Sequence, residues 1–222
     1  MKAMILAAGR GERMRPLTDR CPKPLLEAGG KPLIVHHIER LVAAGFRELV
    51  INHAHLGALI EARLGDGAQW GVSISYSPEQ KALETGGGIF KALPLLGETP
   101  FLVLNGDVWT DLDFSRFNGL EPDGLAYLIL VDNPEHNPNG DFALSQDRVS
   151  SEGVDRLTFS GIGIYRPELF ANCKSGAFPL APLLRGAMAR GLAAGEHFQG
   201  NWLDIGTPQR LFDLDCRLRN SD

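Results

Sequence analysis

Short apolar runs alternate with helical segments along the first half of the chain, and this alternation restricts the folds open to it. Strands are predicted over residues 2–6, 48–52, 72–77 and 101–104, and helices over 32–44, 56–64 and 85–96. Apolar strands of this kind are buried on both faces, and parallel neighbours are joined by right-handed helical crossovers. The pattern predicts an α/β protein with a mainly parallel sheet flanked by helices.

The second half follows a different pattern. Strands are predicted over 125–131, 142–144 and 157–165 with no helix between them, and residues 132–140 form a polar loop. Helices over 181–192 and 208–218 flank a strand-like stretch at 197–205. We therefore expect a small antiparallel patch on a mixed sheet, within one domain that spans residues 1–222.

Charge and cysteine content exclude several classes of protein. The 222 residues carry 22 Lys and Arg against 27 Asp and Glu, a net charge of −5 without a basic stripe, which argues against nucleic acid as a partner. No apolar run approaches the roughly 20 residues of a membrane helix, so no membrane association is expected. Cys21, Cys173 and Cys216 are odd in number and widely spaced, which indicates a reduced, cytoplasmic compartment and no zinc site.

A glycine-rich loop, residues 9–13 (GRGER), follows the first strand. Such a turn lets backbone N–H groups approach a phosphate, although a plain tight turn explains the glycines equally well. The loop is not a dinucleotide fingerprint, because Met14 stands where the third glycine would be. Four cations crowd into this part of an acidic protein, which favours a polyanionic ligand: Arg10, Arg13, Arg15 and Lys23.

Lys23 lies between Pro22 and Pro24, two residues of fixed φ. Each proline also favours extended backbone in the residue before it. The pattern predicts a lysine held in a fixed position for a ligand, and an exposed turn is the alternative.

Two aspartates are candidates for binding a metal ion. Asp107, in Asn105-Gly106-Asp107, follows an apolar strand at the edge of the sheet where ligands of open α/β folds bind, although a lone Asp there also caps turns. Asp204 stands in an apolar stretch that ends at Pro208, so its carboxylate needs a partner or a metal. Two carboxylates together with substrate phosphates suit Mg²⁺. Asp111 is close in sequence, and its participation is left open.

Three consecutive glycines, Gly86 to Gly88, open the helix predicted from residue 85. They lower helix stability, so they indicate close approach of a flat or charged group to the backbone, or a flexible helix start. The six histidines are not clustered as metal ligands would be. The chain has no G-x-S-x-G motif, so the main sequence signal of a nucleophile-elbow hydrolase is missing.

Together, residues 6–18 (LAAGRGERMRPLT) and 22–25 (PKPL) closely resemble the opening of the sugar-1-phosphate nucleotidyltransferases. The resemblance continues through residues 83–87, 105–107, 159–163 and 202–208. It implies a Rossmann-like nucleotidyltransferase fold, with a nucleotide-binding part over about 1–110 and a sugar-binding part over about 111–222. It also implies Mg²⁺ as the cofactor, and a nucleoside triphosphate and a sugar 1-phosphate as substrates.

The resemblance carries roles onto individual residues. It implies nucleotide binding by Gly9, Gly11, Glu12, Arg13, Lys23, Glu79, Gln80 and Gly86, and sugar binding by Asn105, Gly140 and Glu152. It implies catalysis by Arg13, Lys23, Asp107 and Asp204, of which the two aspartates hold the metal. The chain departs from many relatives at Glu12, where they carry Thr, and after Glu152, where Gly153-Val154 replaces Lys-Pro.

Within the family, the short length and the segments 139–142 and 157–161 are most similar to members that use UTP and N-acetylmuramate 1-phosphate in bacterial cell-wall recycling. The alternatives are transfer to glucose 1-phosphate or mannose 1-phosphate from another nucleotide, and a nucleotide-sugar-binding regulatory module without turnover. The lactyl carboxylate of muramate calls for a cation such as Arg148, Arg156 or Arg166. We expect a monomer or a weak homodimer.

Overall fold

The computed structural model describes residues 1–220, which contain five α-helices and thirteen strands. The helices are α1 (Leu33–Ala43), α2 (Gly57–Leu64), α3 (Glu84–Leu96), α4 (Ala181–Ala189) and α5 (Pro208–Arg219). The first seven strands are β1 (Ala3–Ala7), β2 (Glu27–Ala28), β3 (Lys31–Pro32), β4 (Glu48–His53), β5 (Ser73–Pro78), β6 (Phe101–Asn105) and β7 (Val108–Thr110). The other six are β8 (Ala126–Val131), β9 (Phe142–Ser145), β10 (Arg148–Ser150), β11 (Arg156–Tyr165), β12 (Ala193–His197) and β13 (Trp202–Asp204).

Nine strands form one mixed sheet in the order β5-β4-β1-β6-β11-β8-β12-β10-β9. The first four are mutually parallel, as the β-α-β alternation predicted. β11 runs antiparallel to both β6 and β8, and β9 and β10 form an antiparallel pair at the far edge. The predicted α/β fold, with a mainly parallel mixed sheet and a small antiparallel patch, is confirmed.

The central strand β1 shows why the sheet is covered on both faces. Ile5 packs into a core with α1 and α2, whereas its neighbour Met4 packs into a second core with α3 and α4. Both side chains are fully buried, and burial of each contributes about 1.5–3 kcal/mol. No helix within residues 1–220 is long and apolar enough to cross a bilayer.

The structure corrects the prediction for the C-terminal third. The helix predicted to reach residue 192 ends at Ala189, and Gly191, with φ of 67°, turns the chain into β12. The strand-like stretch at 197–205 is the end of β12 and, in a separate two-stranded sheet, β13. β12 (AAGEH) has no apolar alternation, and its place beside β8 is set by tertiary pairing. The three-residue strands β7 and β10 are also too short to show a pattern.

A third, smaller core lies behind the carboxyl ends of β1 and β6. Met14, directly after the glycine-rich loop, packs there with Trp109 of β7, Ile205 after β13 and Leu214 of α5. β7 and β13 pair antiparallel with Asp204 opposite Val108, and the Ile205 N–H donates to the Asp107 carbonyl at 2.8 Å. This packing brings residues 14, 107 and 204 into one neighbourhood although they are far apart in sequence.

Candidate active site

Two cavities meet at Asn105 and Asp107, at the carboxyl end of β6. The first is lined by residues 6–9, Lys23, Pro24, Asn52, Glu79, Ala82, Glu84, Thr85 and residues 105–107. The second is lined by Arg13, Asn105, Asp107, Val108, His136, Asn137, residues 158–160, Trp202 and Asp204. Asp107 therefore faces both spaces.

Lys23 is the buried cation of the first cavity. Its residue is 7% exposed, and its Nζ donates to Asp107 Oδ2 at 2.7 Å. An ammonium group buried to this extent needs such a partner, and the charge-assisted bond fixes both side chains. Lys23 begins a short 3-10 turn after the extended Pro22 and is buried, so it does not lie in the exposed turn that was the alternative; that it is held for a ligand stays a prediction.

The glycine-rich loop is held against this lysine. Gly11 has φ of 63°, and a Cβ there would lie 2.8 Å from Thr18 Cγ2 and 3.3 Å from Lys23 Cβ. The Thr18 hydroxyl donates to the Gly11 carbonyl at 2.8 Å, which closes the loop. Gly11 is therefore required by conformation and by space.

The other cations in this loop and next to it lie in different places. Arg13 is exposed and lines the second cavity, not the first. Arg15 pairs with Asp19 at 3.3 Å, and Arg10 and Glu12 are exposed and line neither cavity. Of the four clustered cations, the structure thus brings Lys23 and Arg13 to the site, one on each side of Asp107.

Asp204 is held by two nitrogen donors. Its Oδ2 lies 2.7 Å from Nη1 of Arg210 and 3.2 Å from Nε2 of His136. Thr207 caps the N-terminus of α5 with its side chain and Pro208 takes the first helical position, which aims Arg210 of the first turn back at Asp204. Arg210 is a site residue that sequence analysis missed, because no motif marks it.

The two aspartates fit a divalent cation. Their side-chain contacts within residues 1–220 all use Oδ2, which leaves both Oδ1 atoms for a metal. Within that range no group of three or more His, Cys, Asp or Glu side chains could hold a metal ion. Two carboxylates completed by substrate phosphate oxygens form the arrangement that Mg²⁺ commonly takes.

Asp111 faces elsewhere. It accepts hydrogen bonds from the Asn201 backbone N–H, at 2.8 Å, and from the Asn201 side chain. Asp113 caps the turn at Ser115. Asp111 lines neither cavity, and its carboxylate bonds Asn201 instead.

Glu79 is a buried anchor of the first cavity. It is 6% exposed; Oε1 accepts from Asn52 Nδ2 at 2.7 Å, and Oε2 accepts from the Leu83 N–H at 2.9 Å. Asn52 in turn accepts from the Ala7 N–H at 2.9 Å. Glu79 thus ties residues 80–83 to the ends of β1 and β4, while Gln80 is exposed on that loop.

The three glycines that open α3 are approached by the chain itself. A Cβ on Gly86 would lie 2.6 Å from the Phe178 ring, and one on Gly87 would lie 2.3 Å from the Gly176 carbonyl oxygen. The close approach predicted here is thus made by the chain's own segment 176–178. Gly86 does not line the first cavity, which Glu84 and Thr85 do.

Asn105 rests on a bulge of β11. The pairing of β11 with β8 shifts register between Phe159 and Ile162, and Gly161 in the bulge has φ of 77°. A Cβ on Gly161 would lie 2.3 Å from Asn105 Nδ2. The bulge therefore makes room for the Asn105 side chain where the two cavities meet.

The other predicted sugar-binding residues lie outside the two cavities. Gly140, with φ of 61°, closes a turn, and its N–H donates to the Asn137 carbonyl at 3.2 Å. Glu152 is exposed, and its N–H donates to Ser150 Oγ at 3.0 Å. The arginines proposed for a lactyl carboxylate bond backbone carbonyls instead: Arg148 that of Gly191, Arg156 those of Ser151 and Gly153, and Arg166 that of Pro122. None of these three lines the second cavity.

Comparison with known proteins decides the family. The family model described as "Nucleotidyl transferase" matches residues 2–140. The chain belongs to the nucleotidyltransferase family. This confirms the resemblance seen in the sequence, and members of the family act on a nucleoside triphosphate and a sugar 1-phosphate with a divalent metal.

Relatives match almost the whole of this nucleotidyltransferase. An N-acetylmuramate alpha-1-phosphate uridylyltransferase from Neisseria meningitidis is 57% identical over 220 residues, which are 95% of each chain. One of the same name from Caulobacter vibrioides is 38% identical over 97% of this chain and 96% of that one. A Bacillus anthracis structure described as a glucose-1-phosphate thymidylyltransferase superposes with a TM-score of 0.88 over 99% of this chain and 96% of that one, at 23% identity. The predicted Rossmann-like nucleotidyltransferase fold is confirmed.

Proposed function

We propose that the protein transfers the uridylyl group of UTP to N-acetylmuramate 1-phosphate, which forms UDP-N-acetylmuramate and pyrophosphate for cell-wall recycling. The observation that carries this proposal is the 57% identity, over 95% of both chains, to a protein of that name. The paired cavities support it, because a nucleotide in the first and a sugar phosphate in the second would meet at Asp107.

The reaction needs alignment and charge neutralisation more than a base. The acceptor brings its own anionic phosphate oxygen, which attacks the α-phosphorus of UTP while the bond to pyrophosphate breaks in line. Lys23 and Arg13, on the two sides of Asp107, would neutralise charge as the pentacoordinate transition state forms. Asp107 and Asp204 would hold Mg²⁺, which when bound supplies a positive charge shared between the phosphates of both substrates.

The remaining proposed substrate contacts come from the glycine-rich loop and from segments near the ends of the strands. Gly9 would border the triphosphate through backbone atoms, and Glu79 would stand on the base side of the first cavity. Gly11, Glu12, Gln80 and Gly86 do not line this cavity and remain proposed nucleotide contacts, which require approach from outside it. Asn105 would contact the acceptor from above the β11 bulge. Gly140 and Glu152 remain proposed sugar contacts, which require approach from outside the second cavity.

Location and assembly complete the proposal. A reduced, cytoplasmic compartment is proposed from the odd number and wide spacing of the three cysteines. A monomer or a weak homodimer would be checked by light scattering across a concentration series.

The test is pyrophosphate release with Mg²⁺, crossing UTP, dTTP, GTP, CTP and ATP with a panel of sugar 1-phosphates. The panel contains N-acetylmuramate, N-acetylglucosamine, glucose and mannose 1-phosphates. We expect UTP with the muramate sugar to give the highest kcat/KM. A preference for a neutral hexose would retain the reaction and overturn the substrate, and no release with any pair would overturn the enzyme assignment.

A further inference from the structure

The loop between β8 and β9 is fixed in place beside the second cavity. The Thr158 hydroxyl, on a residue only 5% exposed, donates to Asn133 Oδ1 at 2.9 Å and accepts from Asn137 Nδ2 at 3.1 Å. Asn133 also donates to the Arg156 carbonyl at 2.8 Å. A turn from Pro134 to Asn137 and another from Asn137 to Gly140 complete the loop. Residues between these anchors are therefore held in position over β11.

His136 is presented by this loop to the cavity. Its side chain is 37% exposed, lines the second cavity, and reaches Asp204 Oδ2 with Nε2 at 3.2 Å. The same Oδ2 accepts a shorter bond, 2.7 Å, from Arg210. The imidazole contact is thus the longer of the two, and Asp204 would keep a strong partner without it.

The other donors of the second cavity are mostly committed within the protein. The Trp202 indole N–H donates to the Ser160 carbonyl at 2.9 Å, and Asn137 Nδ2 is engaged by Thr158. Arg13, Asn105 and His136 remain as lining side chains whose N–H groups can serve an incoming ligand. An acceptor that carries a phosphate dianion needs such donors when it leaves water.

We propose that His136 binds the phosphate group of the acceptor through its Nε2–H, exchanging Asp204 for a phosphate oxygen. This inference rests on the proposed function. Asp204 marks the place where phosphate oxygens of the acceptor would gather, and a group 3.2 Å from Asp204 Oδ2 is within reach of them. The lactyl carboxylate, carried at the sugar's 3-position and so apart from the 1-phosphate, is the competing anion.

The test compares His136→Ala and His136→Gln with His55→Ala, a control at an exposed histidine that lines neither cavity. Loss of one charge-assisted hydrogen bond predicts an acceptor KM about tenfold or more higher in His136→Ala, with the KM for UTP within about twofold of the parent. Because Gln keeps a side-chain N–H, His136→Gln should recover part of the loss. All assays use saturating Mg²⁺, and the melting temperature of each variant is measured.

Calorimetry supplies a readout apart from turnover. Each sugar 1-phosphate is titrated into protein loaded with Mg²⁺ and a UTP analogue whose α,β-bridge is methylene. We expect His136→Ala to weaken binding of N-acetylmuramate 1-phosphate and N-acetylglucosamine 1-phosphate by the same factor, because they share the phosphate. Unchanged acceptor binding would overturn the proposal, and so would a loss confined to the muramate sugar, which would place His136 at the carboxylate. Failure of the parent protein to turn over any sugar 1-phosphate would instead be a failure of the proposed function.

Discussion

The two cavities that meet at Asp107 are built in different ways. The first is formed by strand ends and by polar side chains that are themselves buried and bonded, namely Lys23, Asn52 and Glu79. The second is formed by a bulge, a polar loop and exposed or half-exposed side chains such as Arg13 and His136. The first is therefore preformed, whereas polar groups of the second can exchange internal partners for a ligand.

The two cavities also take their lining residues from different parts of the chain. All residues that line the first cavity lie between Leu6 and Asp107, inside the segment 2–140 that the family model matches. The second cavity takes five of its eleven lining residues from beyond that segment, namely residues 158–160, Trp202 and Asp204. This division is expected if the nucleotide site is common to the family and the acceptor site differs between smaller groups within it.

The largest effect is expected where the two cavities share a group. Asp107→Asn removes a carboxylate charge that would hold the metal where both substrates meet, so kcat should fall by about 10³-fold or more. Asp204→Asn should be comparably damaging, since it removes the second carboxylate. Steady-state turnover at saturating Mg²⁺ measures both. Near-normal rates with an intact fold, judged by circular dichroism, would contradict the metal assignment.

A smaller effect is expected for a group of the first cavity alone. Lys23→Met removes one preorganised cation and should cost about 2–4 kcal/mol of transition-state stabilisation, by analogy with loss of one oxyanion donor. The KM for UTP should rise while the acceptor KM changes little. Pre-steady-state and steady-state rates separate binding from the chemical step. Loss of thermal stability without any loss of kcat/KM would show that the lysine serves only to pair Asp107.

A buried histidine on α1, close to Val108 and Asp107, predicts a pH dependence of stability. His37 on α1 is fully enclosed, and burial, with the nearby His36 and Arg40, lowers its pKa to about 4 despite Val108 and Asp107. Neither ring nitrogen has a well-aligned hydrogen-bond partner within residues 1–220. Below about pH 6.5 the unfolded chain binds a proton that the folded protein does not, so the free energy of unfolding falls as pH falls from there towards 4.

The measurement is urea unfolding at pH 7.5 and pH 5. The protonation of His37 in the unfolded chain should account for about 2 kcal/mol of the loss at pH 5. In His37→Leu, which keeps the site filled and removes the titrating ring, the decrease between the two pH values should shrink by that amount. His55→Leu, at an exposed histidine, is the control. An identical decrease in His37→Leu and the parent would show that His37 does not account for the pH dependence.

The sequence predicted the first cavity better than the second, for physical reasons. Strand ends and tight glycine turns leave local signals, so Lys23 and Asp107 could be named in advance and are joined in the structure. His136 and Arg210 became site residues through contacts that no spacing reveals. The loop between β8 and β9 holds His136 beside Asp204, and the first turn of α5 aims Arg210 at the same carboxylate. The glycines of α3 were noticed for their close approach, but the approaching group, segment 176–178, is distant in sequence.

The smallest predicted effect tests whether the bulge of β11 serves the acceptor alone. Gly161→Ala places a methyl group where Asn105 Nδ2 lies 2.3 Å away, and also forces a positive φ that costs Ala about 1–2 kcal/mol. Gly30→Ala is the matched control, because Gly30 has φ of 70° and a Cβ added there would meet nothing within 4 Å. Both variants should lose similar stability from φ, and Gly161→Ala should lose more because Asn105 must move.

The kinetic comparison of these two variants tests whether the bulge of β11 serves the acceptor alone. Displacing Asn105 from the acceptor side should raise the acceptor KM of Gly161→Ala several-fold, while Gly30→Ala keeps the parent value. Asn105 also borders the first cavity, so the KM for UTP reports whether the displacement reaches across the junction. An unchanged KM for UTP would support the interpretation that the nucleotide side is preformed and that only the acceptor side adapts to its ligand. Equal increases in both KM values would show that the two cavities respond as one unit through Asn105.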